Sequence, residues 1–235
     1  MMLLGSLLNA LFIIIGALLG SLFKNIPESM KQTVMSIIGL AVAVLGIQMG
    51  LESGNFIIII ISLVLGTMIG EWLNFDKQFN LLGQKVELLF GKKAAQGSIA
   101  EGFVTATLIF VIGSMAIIGA LDSGLRNDHS VLITKGIIDG FTSIILASTL
   151  GIGVLLAAVP VFFYQGAITL FAGVISTYIP QEALDLFIKE MTATGGIMIL
   201  AIGLNIAGLT KIRVANLLPS IGIVAILVTV TFILQ

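Results

Sequence analysis

Residues 1–23 read MMLLGSLLNALFIIIGALLGSLF, and no charged side chain interrupts them. A helix needs about 20 mostly apolar residues to cross the hydrocarbon core of a bilayer. The stretch lacks the charged start of a secretory signal, so it predicts a retained membrane span rather than a cleaved leader. Further uncharged runs occupy 32–51, 53–70, 102–121, 140–181, 191–210 and 214–235.

The composition agrees with a chain whose main solvent is lipid. Only 10% of the 235 residues are charged and 58% are hydrophobic, whereas a soluble domain carries about 25% charged residues. The 11 basic and 12 acidic residues leave no basic surplus that would indicate a nucleic-acid partner. Cysteine is absent, which excludes disulfides and thiolate metal sites. We expect no cofactor and no metal.

The run at 140–181 is long enough for two spans, and Pro160 marks the predicted break because proline cannot continue a helix cleanly. The first of these spans is predicted to begin near Val131. It contains Gly151 and Gly153, so a kinked or re-entrant element at 131–158 beside seven spans is the alternative to eight. The predicted fold is an all-α transmembrane bundle with spans at 3–23, 32–51, 55–73, 102–121, 131–158, 160–178, 191–209 and 213–234.

Lysine and arginine are unevenly divided between the loops. With eight spans, the odd-numbered loops hold Lys24, Lys31, Lys77, Lys85, Lys92, Lys93, Lys211 and Arg213, and the even-numbered side holds Arg126, Lys135 and Lys189. Cytoplasmic loops carry the excess of positive charge. We therefore predict a bacterial cytoplasmic-membrane protein with both termini outside.

The longest loop, residues 74–101, is predicted to be an amphipathic helix along the inner interface. Its apolar residues recur every three or four positions, as Phe75, Phe79, Leu82, Val86, Leu89 and Phe90. A flat connector is the favoured interpretation, with Lys92 and Lys93 near anionic headgroups.

Two apolar stretches share a pattern of glycines and a side-chain amide. GLAVAVLGIQMGL places Gly39, Gly46 and Gln48 at the same spacing as Gly196, Gly203 and Asn205 in GIMILAIGLNIAGL. An Ile-Pro pair precedes each, at Pro27 and at Pro180. Because the two copies are five spans apart, they would cross the membrane in opposite directions. We predict an inverted repeat of residues 1–73 and 160–235, with 102–158 between them; chance similarity of glycine-rich helices is the alternative.

Glycines spaced by four residues form flat faces where membrane helices approach closely. The pairs are Gly16/Gly20, Gly46/Gly50, Gly66/Gly70 and Gly136/Gly140. They favour a compact bundle or an oligomer, and we expect a homo-oligomer.

The acid that lies well inside a span is Asp139, with Lys135 four residues earlier on the same helix face. Ionisable side chains within the membrane are rare and indicate function; the alternative is a structural pair with Lys135 extending to the interface. Motifs of metalloproteases, serine hydrolases and P-loop enzymes are absent, so no enzyme is expected. The predicted solute or ion path contains Asp139, Lys135, Thr142, Ser143, Gln48, Asn205, Thr105, Ser114, Thr192, Thr194 and Gln165.

Several motifs resemble those of a known bacterial family. GSMAIIG, DGFTSI, ASTLGIGV, YQG, TATGG and NLLP are similar to motifs of the YqgA/YdfK-like integral membrane proteins, described as domain of unknown function 554, and the resemblance covers essentially the whole chain. It implies a plasma-membrane protein, often described as a transporter, and supplies no substrate and no site residues.

Two functions fit these observations. The first is a transporter or channel for a small polar solute or a cation, because neutral hydroxyls and amides with one acid suit such a path. The second is a non-transport scaffold or regulator of a partner protein, whose polar residues would all be satisfied helix to helix.

Overall fold

A computed structural model of the protein describes residues 1–22, 28–79, 81 and 99–234. All of its regular elements are helical, as predicted. The helices are α1 (Leu4–Leu22), α2 (Glu28–Gly50), α3 (Phe56–Leu73), α4 (Ile99–Val111), α5 (Ser114–Arg126), α6 (Ser130–Leu150), α7 (Gly153–Leu156), α8 (Ala158–Tyr178), α9 (Gln181–Ile206) and α10 (Pro219–Ile233), with a 3-10 turn at Val214–Leu217 before α10.

Within the described residues, seven helical segments are long and apolar enough to cross a membrane. They are Leu4–Leu22, Gln32–Gly50, Phe56–Leu73, Ser130–Leu150, Gly153–Tyr178, Gln181–Ile206 and Val214–Ile233. Helices α4 and α5 together are also apolar enough, but they are bent by 62° at the break between them. The chain is therefore a multi-pass helical membrane protein with one bent helix pair.

The bend corrects one prediction. The alternative to eight spans placed a kink or re-entrant element at 131–158, whereas α6 is continuous from Ser130 to Leu150 and the bend lies at Gly113. Gly113 has a φ of 135°, which side chains with a β-carbon rarely adopt. The glycines at 151 and 153 instead separate α6 from α7, so the break between spans precedes Pro160, which lies in the first turn of α8.

Helix α9 begins ten residues earlier than the predicted span, at Gln181 instead of residue 191. The prediction used charged residues as boundaries, and Lys189 and Glu190 interrupted the apolar run. The helix continues through both, since Pro180 occupies its N-cap and no proline follows within it. Glu190 therefore lies inside a membrane-length helix rather than at its end.

The described residues group into two compact units. Unit 1 comprises Met1–Lys31 and Asn80–Tyr178, and unit 2 comprises Gln32–Phe79 and Ile179–Gln235. Unit 1 contains α1 and α4 to α8, and unit 2 contains α2, α3, α9 and α10. The division into repeats at 1–73 and 160–235 remains a prediction.

Unit 1 is organised around the parallel pair α1 and α6. Their contacts advance together along both helices: Gly5 meets Leu132, Asn9 meets Gly136, and Gly16 meets Ser143. A β-carbon built on Gly136 would lie 3.0 Å from the Asn9 Cα, so only glycine permits this approach.

The bent pair α4–α5 extends along the whole of α6. Gly153, just beyond the C-terminal end of α6, packs on the backbone of Ile99 at the start of α4. A β-carbon on Gly5 would lie 3.0 Å from the Ser123 hydroxyl near the end of α5, and 2.9 Å from the Leu132 Cβ at the start of α6. The pair therefore begins at one end of α6 and ends at the other.

Unit 2 is organised around the antiparallel pair α2 and α9. A β-carbon on Gly39 would lie 2.7 Å from the Gly203 carbonyl oxygen, and one on Gly203 would lie 2.6 Å from the Gly39 oxygen. The same reciprocal relation holds for Gly46 and Gly196, at 2.6 and 2.8 Å. These are backbone-to-backbone contacts, which any larger residue would force apart.

All four predicted glycine pairs pack inside the chain. Gly66 packs on Ser220 and Gly70 on Asn216 within unit 2, while Gly136 and Gly140 pack on Phe12 within unit 1. Gly16, Gly20, Gly46 and Gly50 likewise meet neighbouring helices of their own units. The glycine pairs therefore explain close helix packing within each unit. Because their faces are covered inside the chain, they do not support the homo-oligomer, which stays a prediction.

The predicted interfacial helix lies mostly outside the described residues. Residues 75–79 are helical, and the rings of Phe75 and Phe79 are 6.5 Å apart. Leu82, Val86, Leu89, Phe90, Lys92 and Lys93 are not among the residues that the structure describes.

Candidate functional site

The Lys135–Asp139 pair forms a buried ion pair on α6. The two side chains are one helical turn apart and only 6% and 5% exposed, and the Lys135 ammonium donates a hydrogen bond to an Asp139 carboxylate oxygen. A buried charge without a counter-ion is strongly destabilising, and here each side chain has the other as its partner. The Lys135 ammonium is buried beside Asp139.

Helix α1 brings an asparagine to this pair. Asn9 is completely buried, packs on Gly136, and adjoins the Asp139 carboxyl group. Neither amide atom makes a hydrogen bond of normal geometry with a described residue. An amide in an apolar environment costs about 2–7 kcal/mol without a partner. Asn9 therefore places an incompletely hydrogen-bonded amide beside two buried charges.

The hydroxyls that follow on α6 divide into two groups. Thr142 donates to the Ile138 carbonyl oxygen at 2.9 Å, and Ser148 donates to that of Ile145 at 2.8 Å. Such bonds within the helix are the usual state of membrane serines and threonines. Ser143 is fully buried, one turn beyond Asp139, and finds no partner in the described part of the chain. Of the predicted hydroxyls beside Asp139, Ser143 is thus the available one.

The ion pair also lies close to the bend in α4–α5. The Lys135 Nζ is 5.9 Å from the centroid of the Phe110 ring, which is completely buried near the end of α4. Ser114 is the first residue of α5, and its N-cap Gly113 offers no side chain to the free N–H groups of that helix end. Thr105 is buried two turns before the bend.

Helix α8 contributes another buried amide to unit 1. Gln165 is completely buried, and neither its oxygen nor its nitrogen has a hydrogen-bond partner among the described residues. Its neighbour Gly166 packs towards Leu3 at the start of α1. Ser6 of α1 is equally buried and unpaired. It escaped the sequence analysis because a single serine in an apolar run carries no signal.

The remaining predicted residues lie in unit 2. Thr192 and Thr194 are buried in α9, and their hydroxyls are unpaired within the part of the chain that the structure describes. The two amides predicted as counterparts differ in their surroundings. Gln48 is exposed on α2, whereas Asn205 fastens the next loop by accepting from the Ile212 N–H at 2.9 Å and donating to the Ile212 carbonyl at 2.7 Å.

Unit 2 contains a buried acid that lies just before the predicted span at 191–209. Glu190 is completely buried in α9, where its carboxylate accepts hydrogen bonds from the Ser53 hydroxyl at 2.6 Å, the Gly54 N–H at 2.8 Å and the Asn55 N–H at 3.1 Å. These groups precede the first turn of α3, so the carboxylate also faces the positive end of that helix dipole. Through these three hydrogen bonds, Glu190 stabilises the loop between α2 and α3.

The loop before α6 carries its own polar contacts. The Ser130 N–H donates to the Asp128 carboxylate at 3.0 Å, and this hydrogen bond lowers the pKa of Asp128. The Ser123 hydroxyl lies 2.6 Å from the Nδ1 of His129. Both contacts fix the start of the helix that holds the ion pair.

Comparisons with known proteins match the chain over most of its length. Residues 4–229 match the family described as protein of unknown function (DUF554). The chain is 38% identical over 231 residues to "Uncharacterized membrane protein YdfK" of Bacillus subtilis (strain 168), covering 96% of both chains. It is 31% identical over 224 residues to "Uncharacterized protein YqgA" of Escherichia coli (strain K12), covering 94% of both. No solved structure matches. The chain therefore belongs to the DUF554 family of proteins of unknown function.

Proposed function

We propose that the protein is a transporter or channel for a small polar solute or a cation, with its path in unit 1 beside Lys135 and Asp139. The observation that carries the proposal is the ion pair bordered by the incompletely hydrogen-bonded amide of Asn9 and the unpaired hydroxyl of Ser143. Buried polar groups almost always have a protein or water partner. Several unpaired ones beside a buried charge pair favour a site that water or a solute occupies.

The bend between α4 and α5 supports the same assignment. Irregular backbone at membrane depth is tolerated where protein or a water-filled cavity surrounds it. Transporters commonly use broken helices to bring helix ends to a binding site. The bend at Gly113 ends α4 next to Phe110, whose ring contacts the Lys135 ammonium.

The proposed architecture has eight crossings and an inverted repeat. Since α4 begins at the C-terminal end of α6 and α5 ends at its N-terminal end, we count the bent pair as one crossing. The reciprocal contacts of Gly39 with Gly203 and of Gly46 with Gly196 support the repeat. In the proposed repeat, Gly39 corresponds to Gly196 and Gly46 corresponds to Gly203. A two-fold axis that exchanges these residues would convert the Gly39–Gly203 contact into the Gly46–Gly196 contact.

The excess of lysine and arginine in odd-numbered loops supports an orientation with both termini outside. Single cysteines in this cysteine-free chain test it. A cysteine at Asp128 should react with an impermeant thiol reagent added outside whole cells, and one at exposed Lys211 should react only after permeabilisation. Labelling in the opposite order would refute the orientation.

Flux into proteoliposomes tests the function. Purified protein should admit small polar solutes or cations, and Asp139→Asn should abolish the flux because it leaves the Lys135 charge unpaired. Thr134→Val is the matched control, since Thr134 is exposed on the same helix and its hydroxyl donates to its own backbone at Ser130. A wild-type protein that moves none of the solutes, with an Asp139 carboxyl that no water reaches, would contradict transport and favour the scaffold function.

A further inference from the structure

The charges at the unit 1 site cancel. Lys135 and Asp139 are the buried charged side chains among the described residues of this unit. Each is already the other's counter-ion. The immediate polar neighbours, Asn9 and Ser143, are neutral. The site therefore has a positive group and a negative group within one helical turn, and no net charge.

Because the charges of Lys135 and Asp139 cancel, the site is unfavourable for a simple ion. A cation that approached Asp139 would also approach the Lys135 ammonium, and repulsion at this distance is strong where water is scarce. An anion at Lys135 meets the same obstacle in Asp139. A bound ion would thus leave one buried charge without a partner, which is the costly condition in a protein interior.

A zwitterion avoids this obstacle. Its carboxylate can pair with Lys135 while its ammonium pairs with Asp139, so one buried ion pair becomes two and no charge is left alone. The Asn9 amide adjoins Asp139 and supplies an acceptor, its oxygen, that has no partner among the described residues. The Ser143 hydroxyl supplies a donor and a further acceptor. Both charged ends of such a solute would be solvated by groups that have unmet hydrogen bonds.

The packing around the pair limits the size of the solute. Asn9 and Phe12 of α1 approach Gly136 and Gly140 so closely that a built β-carbon would lie 3.0 Å and 3.1 Å from backbone atoms. Space beside the ion pair must come from the side of Phe110 and the bend in α4–α5. This favours a compact solute.

We propose that the solute recognised beside Lys135 and Asp139 is a small zwitterion of the amino-acid class, rather than a metal cation, a proton or an anion. The inference rests on the proposed transport function and narrows its substrate class. The solute exchanges partners with the ion pair, and the pair reforms when the solute leaves.

Uptake by proteoliposomes tests the solute class with labelled glycine and alanine as zwitterions, glycerol as an uncharged solute, and sodium and chloride as ions. Glycine or alanine should enter well above protein-free liposomes, and sodium and chloride should not. The charge-free variant Lys135→Met with Asp139→Leu should reduce amino-acid uptake about a hundredfold, because both ionic partners are lost.

The exchanged variant, Lys135→Asp with Asp139→Lys, separates recognition from folding because it keeps both charges. It should recover part of the amino-acid uptake that the charge-free variant loses. Elution as a single species in size-exclusion chromatography verifies the fold of each variant. If either variant fails to fold, the wild-type melting temperature should still rise with glycine or alanine and not with sodium chloride at equal concentration.

The outcomes distinguish the two proposals. Sodium or chloride flux without amino-acid flux overturns the zwitterion and leaves transport standing. Amino-acid uptake that persists in a folded charge-free variant overturns the role of the ion pair. The absence of flux for every labelled compound, with no shift in melting temperature, overturns both.

Discussion

Replacing Gly46 with alanine should destabilise unit 2 by opening the α2–α9 pair. The new β-carbon would lie 2.6 Å from the Gly196 carbonyl oxygen and also press on the backbone of Leu200. Both contacts are with backbone, so no side chain can rotate away. The helices must separate by roughly 1 Å, and a gap of that size removes about a quarter to a half of the dispersion energy of each facing atom pair.

We expect a loss of about 3 kcal/mol, near the upper end of the usual cost of overpacking. For a chain of this size, that lowers the melting temperature by about 6–12 °C. Gly222→Ala is the control within the same unit, because a β-carbon there meets nothing within 4 Å. Alanine should be neutral or slightly stabilising at that helical position.

The double variant Gly46→Ala with Gly196→Ala sharpens the test. The two glycines face each other, so once one alanine has separated the helices, the second should cost less than it does alone. Melting temperatures in a single detergent provide the comparison. A Gly46→Ala protein as stable as Gly222→Ala, or strictly additive losses in the double variant, would show that α2 and α9 do not meet as described.

Three further changes have definite expected results. Glu190→Gln should lower stability by about 3 kcal/mol, because it replaces a charged acceptor of three hydrogen bonds. The control Glu182→Gln, at an exposed position, should change stability by less than about 0.5 kcal/mol. Equal melting temperatures of the two variants would show that Glu190 does not stabilise the loop at 53–55. Asn205→Leu should accelerate amide hydrogen exchange in the loop that follows α9. Gln48→Leu removes the exposed amide at the matching position of the glycine pattern and should not accelerate exchange in the loop after α2. Similar effects of the two variants would contradict the conclusion that Asn205 holds its loop and Gln48 does not. Because the folded state lowers the pKa of Asp128, its carboxylate contributes to stability above the unfolded pKa of about 3.9, and this contribution is lost as the pH falls through the lower folded pKa. The difference in stability between wild type and Asp128→Asn should therefore close below about pH 4. A difference that stays constant with pH would contradict this role of Asp128.

The helical type of the fold and most of the helix positions could be predicted because lipid imposes a length and composition that few other folds share. The uncharged runs located seven apolar helical segments and the bent pair to within a few residues at most ends. The same rule failed at Glu190, where an acid in a continuous helix was taken for a boundary. A carboxylate can lie inside the helix because three donors from the loop at 53–55 satisfy it. The sequence around Glu190 gives no indication of these donors, because they lie more than a hundred residues away in the chain.

The site was predictable only where its members are neighbours in sequence. Lys135 and Asp139 are one turn apart, so helical periodicity alone brings them together. Asn9 is joined to them by the contact between α1 and α6, which periodicity does not specify. The bend at Gly113 was also missed, because glycine is common in membrane helices and its φ of 135° is visible only in the fold.

The parallel contact of α1 with α6 also has a consequence for synthesis in the membrane. About a hundred residues separate the end of α1 from the start of α6. At about 5–20 residues per second, α1 waits on the order of ten seconds for this partner. During that interval the Ser6 and Asn9 face has no α6 to cover it. The newly made first helix therefore exposes these buried polar side chains to the membrane until α6 has been synthesised and inserted.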